Sequence, residues 1–180
     1  MYKPIKDYEW NLLGIYNYKK PGKFQEYFKF IKSNISKKGD LFEAGVYNGF
    51  SLLSVALFLK EMGSNKVIYG FDSFSGFPPI ISSKDKIINF KKMYQNKTIS
   101  KKHYDDVILS NEIIKKLTNK KINSVNKISS SGAFSNTSKL SLQKKIKFLG
   151  LKNVKLIDGA YADTMINFKV KNGFLSGIFD

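Results

Sequence analysis

The feature that most constrains this chain is the succession from Asp40 to Phe71, in which a short apolar run, a long apolar run and a β-rich run follow with little between them. The first, DLFEAGVYNG, reads as a strand ending near Glu43, with Gly45 and Gly49 directly behind it. From Phe50 to Met62 the sequence is helical in length, and Gly63 stands where a helix commonly stops. Its stretch SLLSVALFL has no polar face, which predicts a helix buried against a sheet. Lys66 to Phe71, KVIYGF, is rich in β-formers and is followed by the polar pair Asp72 and Ser73. Strand, helix and strand at this spacing make a βαβ unit, so the two strands are parallel and the fold class is α/β.

The same alternation returns late in the chain. Leu140 to Leu149 reads as a helix with lysines on its outer face, VKLID from Val154 to Asp158 as a strand, and LSGIFD from Leu175 to Asp180 as the start of another. Residues 1–38 read as an N-terminal helical extension, with a stripe at Phe24, Tyr27, Phe28, Ile31 and Ile35 that predicts a helix over 24–35. Residues 39–180 then form the sheet-bearing domain. Within it, about 80–138 is rich in Lys, Asn and Ser, carries one helix pattern from Asp105 to Leu117, and reads as an insertion or cap rather than a second globular domain.

Composition removes several function classes. There is no cysteine and a single histidine, His103, which excludes disulfide scaffolds, cysteine nucleophiles and cysteine-ligated metals. No apolar run approaches the length of a membrane span, and the opening MYKPIKDYEWNLLG lacks the order of a secretory signal, so the chain is expected to be soluble and cytoplasmic. The net charge of +17 comes entirely from lysine. Nucleic-acid binders usually use arginine forks, and no aromatic ladder interleaves the lysine pairs, so most of the excess is expected to be solvated surface and no nucleic-acid partner is expected. A field of this sign still favours anionic substrates. A basic RNA-binding module remains the alternative outside enzymes.

The strand-end loops carry the chemistry. Glu43, Gly45 and Gly49 form E-x-G-x-x-x-G ahead of a helix N-terminus, where small residues let backbone approach a ligand closely. The pattern is not G-x-G-x-x-G, which disfavours a nicotinamide-type nucleotide-binding enzyme. Two glycines four apart also serve simply to turn a strand into a helix. Asp72 adds a carboxylate at the tip of the next strand, where it can accept both hydroxyls of a ribose or cap its own turn. The loop SFSGFPP follows it, at the sheet edge where ligands bind.

Three phrases, LFEAGVYNGFSL, IYGFDSFSGFPP and FSNTSKLSLQKKIKFLGLKNVKLIDGAYADTM, resemble the macrocin O-methyltransferase family of class I S-adenosylmethionine-dependent methyltransferases. The resemblance covers about Gly39 to Pro79 and Phe134 to Asp180. It implies a Rossmann-like methyltransferase fold with a mostly parallel sheet. It also implies that Glu43, Gly45 and Gly49, with Tyr47 and Asn48, line the methionine part of S-adenosyl-L-methionine. Asp72 would hold the ribose, Ser73 and Phe74 would flank the nucleoside, and Gly159, Ala160 and Tyr161 would border the adenine pocket, with Asp163 and Thr164 in the same strand-end loop. Relatives of this kind methylate a sugar hydroxyl of a glycan or glycosylated metabolite and use Mg2+, and the resemblance leaves a homo-oligomer of the intact enzyme open.

The metal site is where the sequence departs from the family. The family phrase I-x-D-x-D-L-Y is matched only at its first acidic position, Asp180, which would be one magnesium ligand. Magnesium wants an octahedral oxygen shell that one carboxylate cannot supply. The expectation is therefore a C-terminally truncated member, inactive as a 180-residue chain, with an exposed sheet edge that favours aggregation or poor folding. His103 is the one imidazole available as a base, but it falls in the weakly patterned insertion and reads better as surface.

Overall fold

The computed structural model describes residues 2–76, 87–118, 137–166 and 168–179. The elements run α1 (Asp7–Leu13), α2 (Gln25–Ser33), β1 (Asp40–Ala44), α3 (Phe50–Glu61), β2 (Ile68–Asp72), α4 (Ile87–Gln95), α5 (Lys101–Thr118), α6 (Lys139–Phe148), β3 (Val154–Asp158), α7 (Tyr161–Thr164) and β4 (Phe174–Phe179). Contacts divide the chain into two compact units, Met1–Phe74 with Thr137–Asp180, and Ser75–Asn136.

The first unit is built on a parallel sheet in the order β3-β2-β1-β4. The chain therefore moves outward from β1 to β3 and then crosses back to place β4 on the other side of β1. That reversal is the topological switch point of doubly wound folds, and ligands in such sheets bind beyond the carboxyl ends of the strands beside it.

Side-chain alternation assigns the two faces of the sheet. Leu41 and Glu43 of β1 and Ile68 of β2 are fully buried beneath α3, and a Cβ at Gly70 would meet Val46 and Leu52 on that same face. Helix α3 is largely apolar because it is covered over most of its surface, with Leu52, Leu53, Ala56 and Leu59 at 0% exposure. Trp10, Ile15, Phe28 and Ile31 from the N-terminal segment and Leu142, Leu149 and Leu151 from the α6 region join it in one core. Each such side chain contributes about 1.5–3 kcal/mol relative to exposure. The opposite face is aromatic: Phe42 lies 4.9 Å from Phe174 and 5.3 Å from Phe179, and Phe71 lies 5.0 Å from Phe168. Gly177, paired with Phe42 across β1 and β4, leaves room for the Phe42 ring, which a Cβ there would meet at 2.2 Å.

Several elements depart from the sequence expectation: α4 (Ile87–Gln95) is a helix in the segment whose one helix pattern is Asp105 to Leu117, and α7 (Tyr161–Thr164) is a helical turn in a stretch that reads as a strand-end loop. Helix α1 lies in the expected helical extension but is too short for a repeating stripe to mark it; it forms because Glu9 accepts the N–H groups of Ile5 and Lys6 at 2.7 Å while Gly14 closes the other end at φ 62°. Helix α5 starts at Lys101 instead of Asp105, since the Ser100 hydroxyl accepts the His103 N–H at 3.1 Å and so caps the first turn.

Some of the lysine excess is turned inward. Lys66 is buried and its ammonium donates to the Gly39 carbonyl at 2.6 Å and to that of Lys37, while Lys60 donates to the Leu149 and Gly150 carbonyls at 3.2 and 3.1 Å. These lysines satisfy carbonyls left over at helix and loop ends. In the second unit α4 and α5 pack on each other, with the Phe90 ring stacked on His103 at 5.9 Å and Tyr94 on Tyr104 at 5.3 Å. Among the described residues no helix is long and apolar enough to cross a membrane.

Candidate functional site

The strand register brings the expected loops to one end of the sheet. Ala44 pairs with Phe71 and Asp72 with Asp158, so the carboxyl ends of β1, β2 and β3 lie side by side. Two backbone bonds tie the loops as they leave: the Gly45 N–H donates to the Phe71 carbonyl at 3.0 Å, and the Gly159 N–H to the Asp72 carbonyl at 3.1 Å.

Asp72 is the centre of this arrangement. Its Oδ2 accepts the N–H groups of Val46 and Tyr47, both at 2.8 Å, and its Oδ1 accepts the Phe74 N–H at 2.7 Å. A single half-buried carboxylate thus joins the loop after β1 to the loop after β2. Tyr47 and Phe74 are both non-glycine residues in the left-handed region, at φ 50° and 48°. Holding such residues there costs on the order of 1–3 kcal/mol each, and strain of this kind gathers at ligand-binding sites.

The turn at Tyr47–Gly49 is held from its other side by α6 and the residues just ahead of it. The Thr137 hydroxyl donates to the Tyr47 carbonyl at 2.7 Å, and the Lys145 ammonium donates to the Asn48 carbonyl at 3.1 Å. Burial lowers the pKa of Lys145 below the usual lysine value. Leu142 fills the space over Gly49, where a Cβ would meet its Cδ1 at 2.5 Å, and Gly49 itself has φ 80°. The glycine is therefore required by helix packing and backbone conformation. Thr137 and Lys145 were not singled out in the sequence, because they reach the loop from 90 and 97 residues away and form no local motif with it.

Glu43 lies beneath the loop. It is completely buried, and its Oε1 accepts the Ser51 hydroxyl at 2.9 Å across the junction of β1 and α3. Phe74 is 7% exposed and belongs to the core cluster, and Ser73 beside it is half-buried. At the third tip, Ala160 precedes α7 and its carbonyl accepts the N–H groups of Asp163 and Thr164 at 3.0 Å. Tyr161, the first residue of α7, is 46% exposed. Asp180 and the end of the SFSGFPP loop from residue 77 lie outside the described residues. Among the described residues no three His, Asp or Glu side chains gather as a metal site would require, so the magnesium expectation has no support there.

No protein-family model matches the chain, and no curated protein does. The resemblance to the macrocin family rests on the three phrases alone. Among solved structures the chain is similar to that of the O-methyltransferase NovP, with a TM-score of 0.51 and 14% sequence identity over 86% of this chain and 53% of the other. The likeness shows a shared Rossmann-like fold. The chain spans about half the length of that protein, 53%.

Proposed function

We propose that this chain is the donor-binding part of an S-adenosylmethionine-dependent O-methyltransferase, of the kind the macrocin family represents, acting in the cytoplasm on a sugar hydroxyl of a glycan or glycosylated small molecule. The observation that carries the reading is the Asp72 carboxylate, set between the glycine loop and the second strand tip at the switch point of the sheet. A dinucleotide reading lacks its third glycine.

The residues present suit a nucleoside. A carboxylate offers about four acceptor sites, and Asp72 spends three of them on backbone N–H groups. It takes one ribose hydroxyl on the remaining site and the second in exchange for a loop N–H. The Gly45–Asn48 turn borders the methionine end, and Gly159, Ala160 and Tyr161 border the base. When bound, S-adenosylmethionine supplies an electrophilic methyl group on a sulfonium. The chain's own part is to fix that group in place and keep its loops closed around it.

Isothermal titration of the chain with S-adenosylmethionine tests this reading. Binding that weakens at least tenfold in Asp72→Ala, with the melting transition retained, supports it. Binding unaffected by that substitution, or salt-sensitive RNA binding with no affinity for S-adenosylmethionine, overturns it.

A further inference from the structure

Three consecutive residues of the glycine loop are each held by the α6 region. The Tyr47 carbonyl accepts the Thr137 hydroxyl at 2.7 Å, the Asn48 carbonyl accepts the Lys145 ammonium at 3.1 Å, and Gly49 packs under Leu142. Leu142 and Lys145 are one turn apart on α6, and Thr137 lies just ahead of its Ser138 cap, so one end and one face of a single helix serve the whole turn. Thr137 is itself 7% exposed and Lys145 is half-buried, so the hydroxyl is withdrawn from solvent and the ammonium partly so.

The N–H side of the same turn is held by Asp72, which accepts Val46 and Tyr47. Tyr47 therefore has its N–H fixed from β2 and its carbonyl fixed from the α6 region, with its φ of 50° between them. A left-handed non-glycine residue relaxes unless its surroundings over-determine it. Asp72 alone holds the turn less firmly once a ligand hydroxyl replaces one of its three loop N–H groups, so an anchor on the carbonyl side keeps the turn in place.

From this geometry we infer that Thr137 and Lys145 are positioning residues for the donor loop: they hold the Tyr47–Gly49 turn in its left-handed form from the carbonyl side, leaving Asp72 free to exchange one loop bond for a ligand hydroxyl. The inference rests on the donor-site reading for its purpose, but the clamp itself is a property of the ligand-free chain. Neither residue touches the ligand; both act through the loop.

The test uses the full chain and four variants, Thr137→Val, Thr137→Ser, Lys145→Met and Lys145→Arg, read by amide hydrogen exchange without ligand and by titration with S-adenosylmethionine. Thr137→Val and Lys145→Met are expected to speed exchange at Val46 and Tyr47 about five- to tenfold, as loss of one hydrogen bond implies. Amides in the middle of α3 stay unchanged. Thr137→Ser and Lys145→Arg, which keep a donor, restore protection. Affinity for S-adenosylmethionine falls in parallel in the first pair and recovers in the second. Unchanged loop exchange in Thr137→Val and Lys145→Met, or equal loss in the donor-keeping variants, overturns the inference. Should Thr137→Val fail to fold, the Lys145 pair decides it. A wild-type chain that ignores S-adenosylmethionine while its variants show the expected exchange overturns the methyltransferase reading and leaves the clamp standing.

Discussion

The Tyr47 N–H donates to Oδ2 of Asp72 at 2.8 Å, across 25 residues of sequence and from one strand tip to the next. Through this bond and its companion from Val46, the carboxylate sets the shape of the glycine loop. If Asp72 also binds a nucleoside as proposed, loop shape and binding meet at one side chain.

Asp72→Asn measures that coupling. The amide keeps the shape but turns a donor toward at least one of the N–H groups the carboxylate accepts, leaving buried N–H groups unpaired. The expected loss is about 1–3 kcal/mol of stability, read as a lower urea midpoint with an unchanged slope. A variant as stable as the wild type would mean that the loop does not depend on Asp72.

Gly177→Ala tests the packing of the aromatic face. The new methyl meets the Phe42 ring, which lies 2.2 Å from the Cβ position. Overpacking of this kind costs about 1–3 kcal/mol. Phe42→Leu in the same chain makes room, so the double variant should lose less than the sum of the two singles. Strict additivity by thermal or urea unfolding would show that β4 does not seat against β1 as described.

The strands and the buried helix were readable in the sequence because their signals are local. VKLID coincides with β3, and the apolarity of SLLSVALFL already pointed to a helix buried against a sheet, as α3 is. The tips were readable for the same reason, since Gly45 and Asp72 each directly follow an apolar run. What escaped is what depends on distant partners. Nothing near Thr137 or Lys145 announces that their polar groups end on the carbonyls of Tyr47 and Asn48. The inward lysines Lys60 and Lys66 are likewise indistinguishable in composition from the solvated ones, because a lysine's surroundings are fixed by tertiary packing alone.

Acid should loosen the N-terminal segment through Glu61. The Tyr18 hydroxyl donates to its carboxylate, and Lys3 at 3.2 Å and Lys19 at 3.9 Å lie beside it, so the Glu61 pKa is held below the usual carboxylate value, chiefly by the Tyr18 bond. A lowered folded-state pKa means that this contribution is complete above the unfolded value of about 4.3 and disappears as pH falls through the folded one. Tyr18→Phe removes the main cause, so its stability should fall less than the wild type's between about pH 6 and pH 3. Parallel urea midpoints over that range would rule out this origin.

Gly49→Ala separates a packing role for this glycine from a ligand-facing one. Two costs combine: φ of 80° is strained for any residue with a Cβ, and that Cβ would meet Leu142 at 2.5 Å and Leu53 at 3.1 Å. Together they should remove about 2–4 kcal/mol of stability, visible as a drop in melting temperature without any ligand. Leu142→Ala opens a cavity worth about 2–5 kcal/mol by itself, yet relieves the clash, so the double variant should be more stable than the sum predicts. If Gly49→Ala instead melts like the wild type and loses only affinity for S-adenosylmethionine, the glycine is there for the ligand, and α6 does not press on the loop at this point.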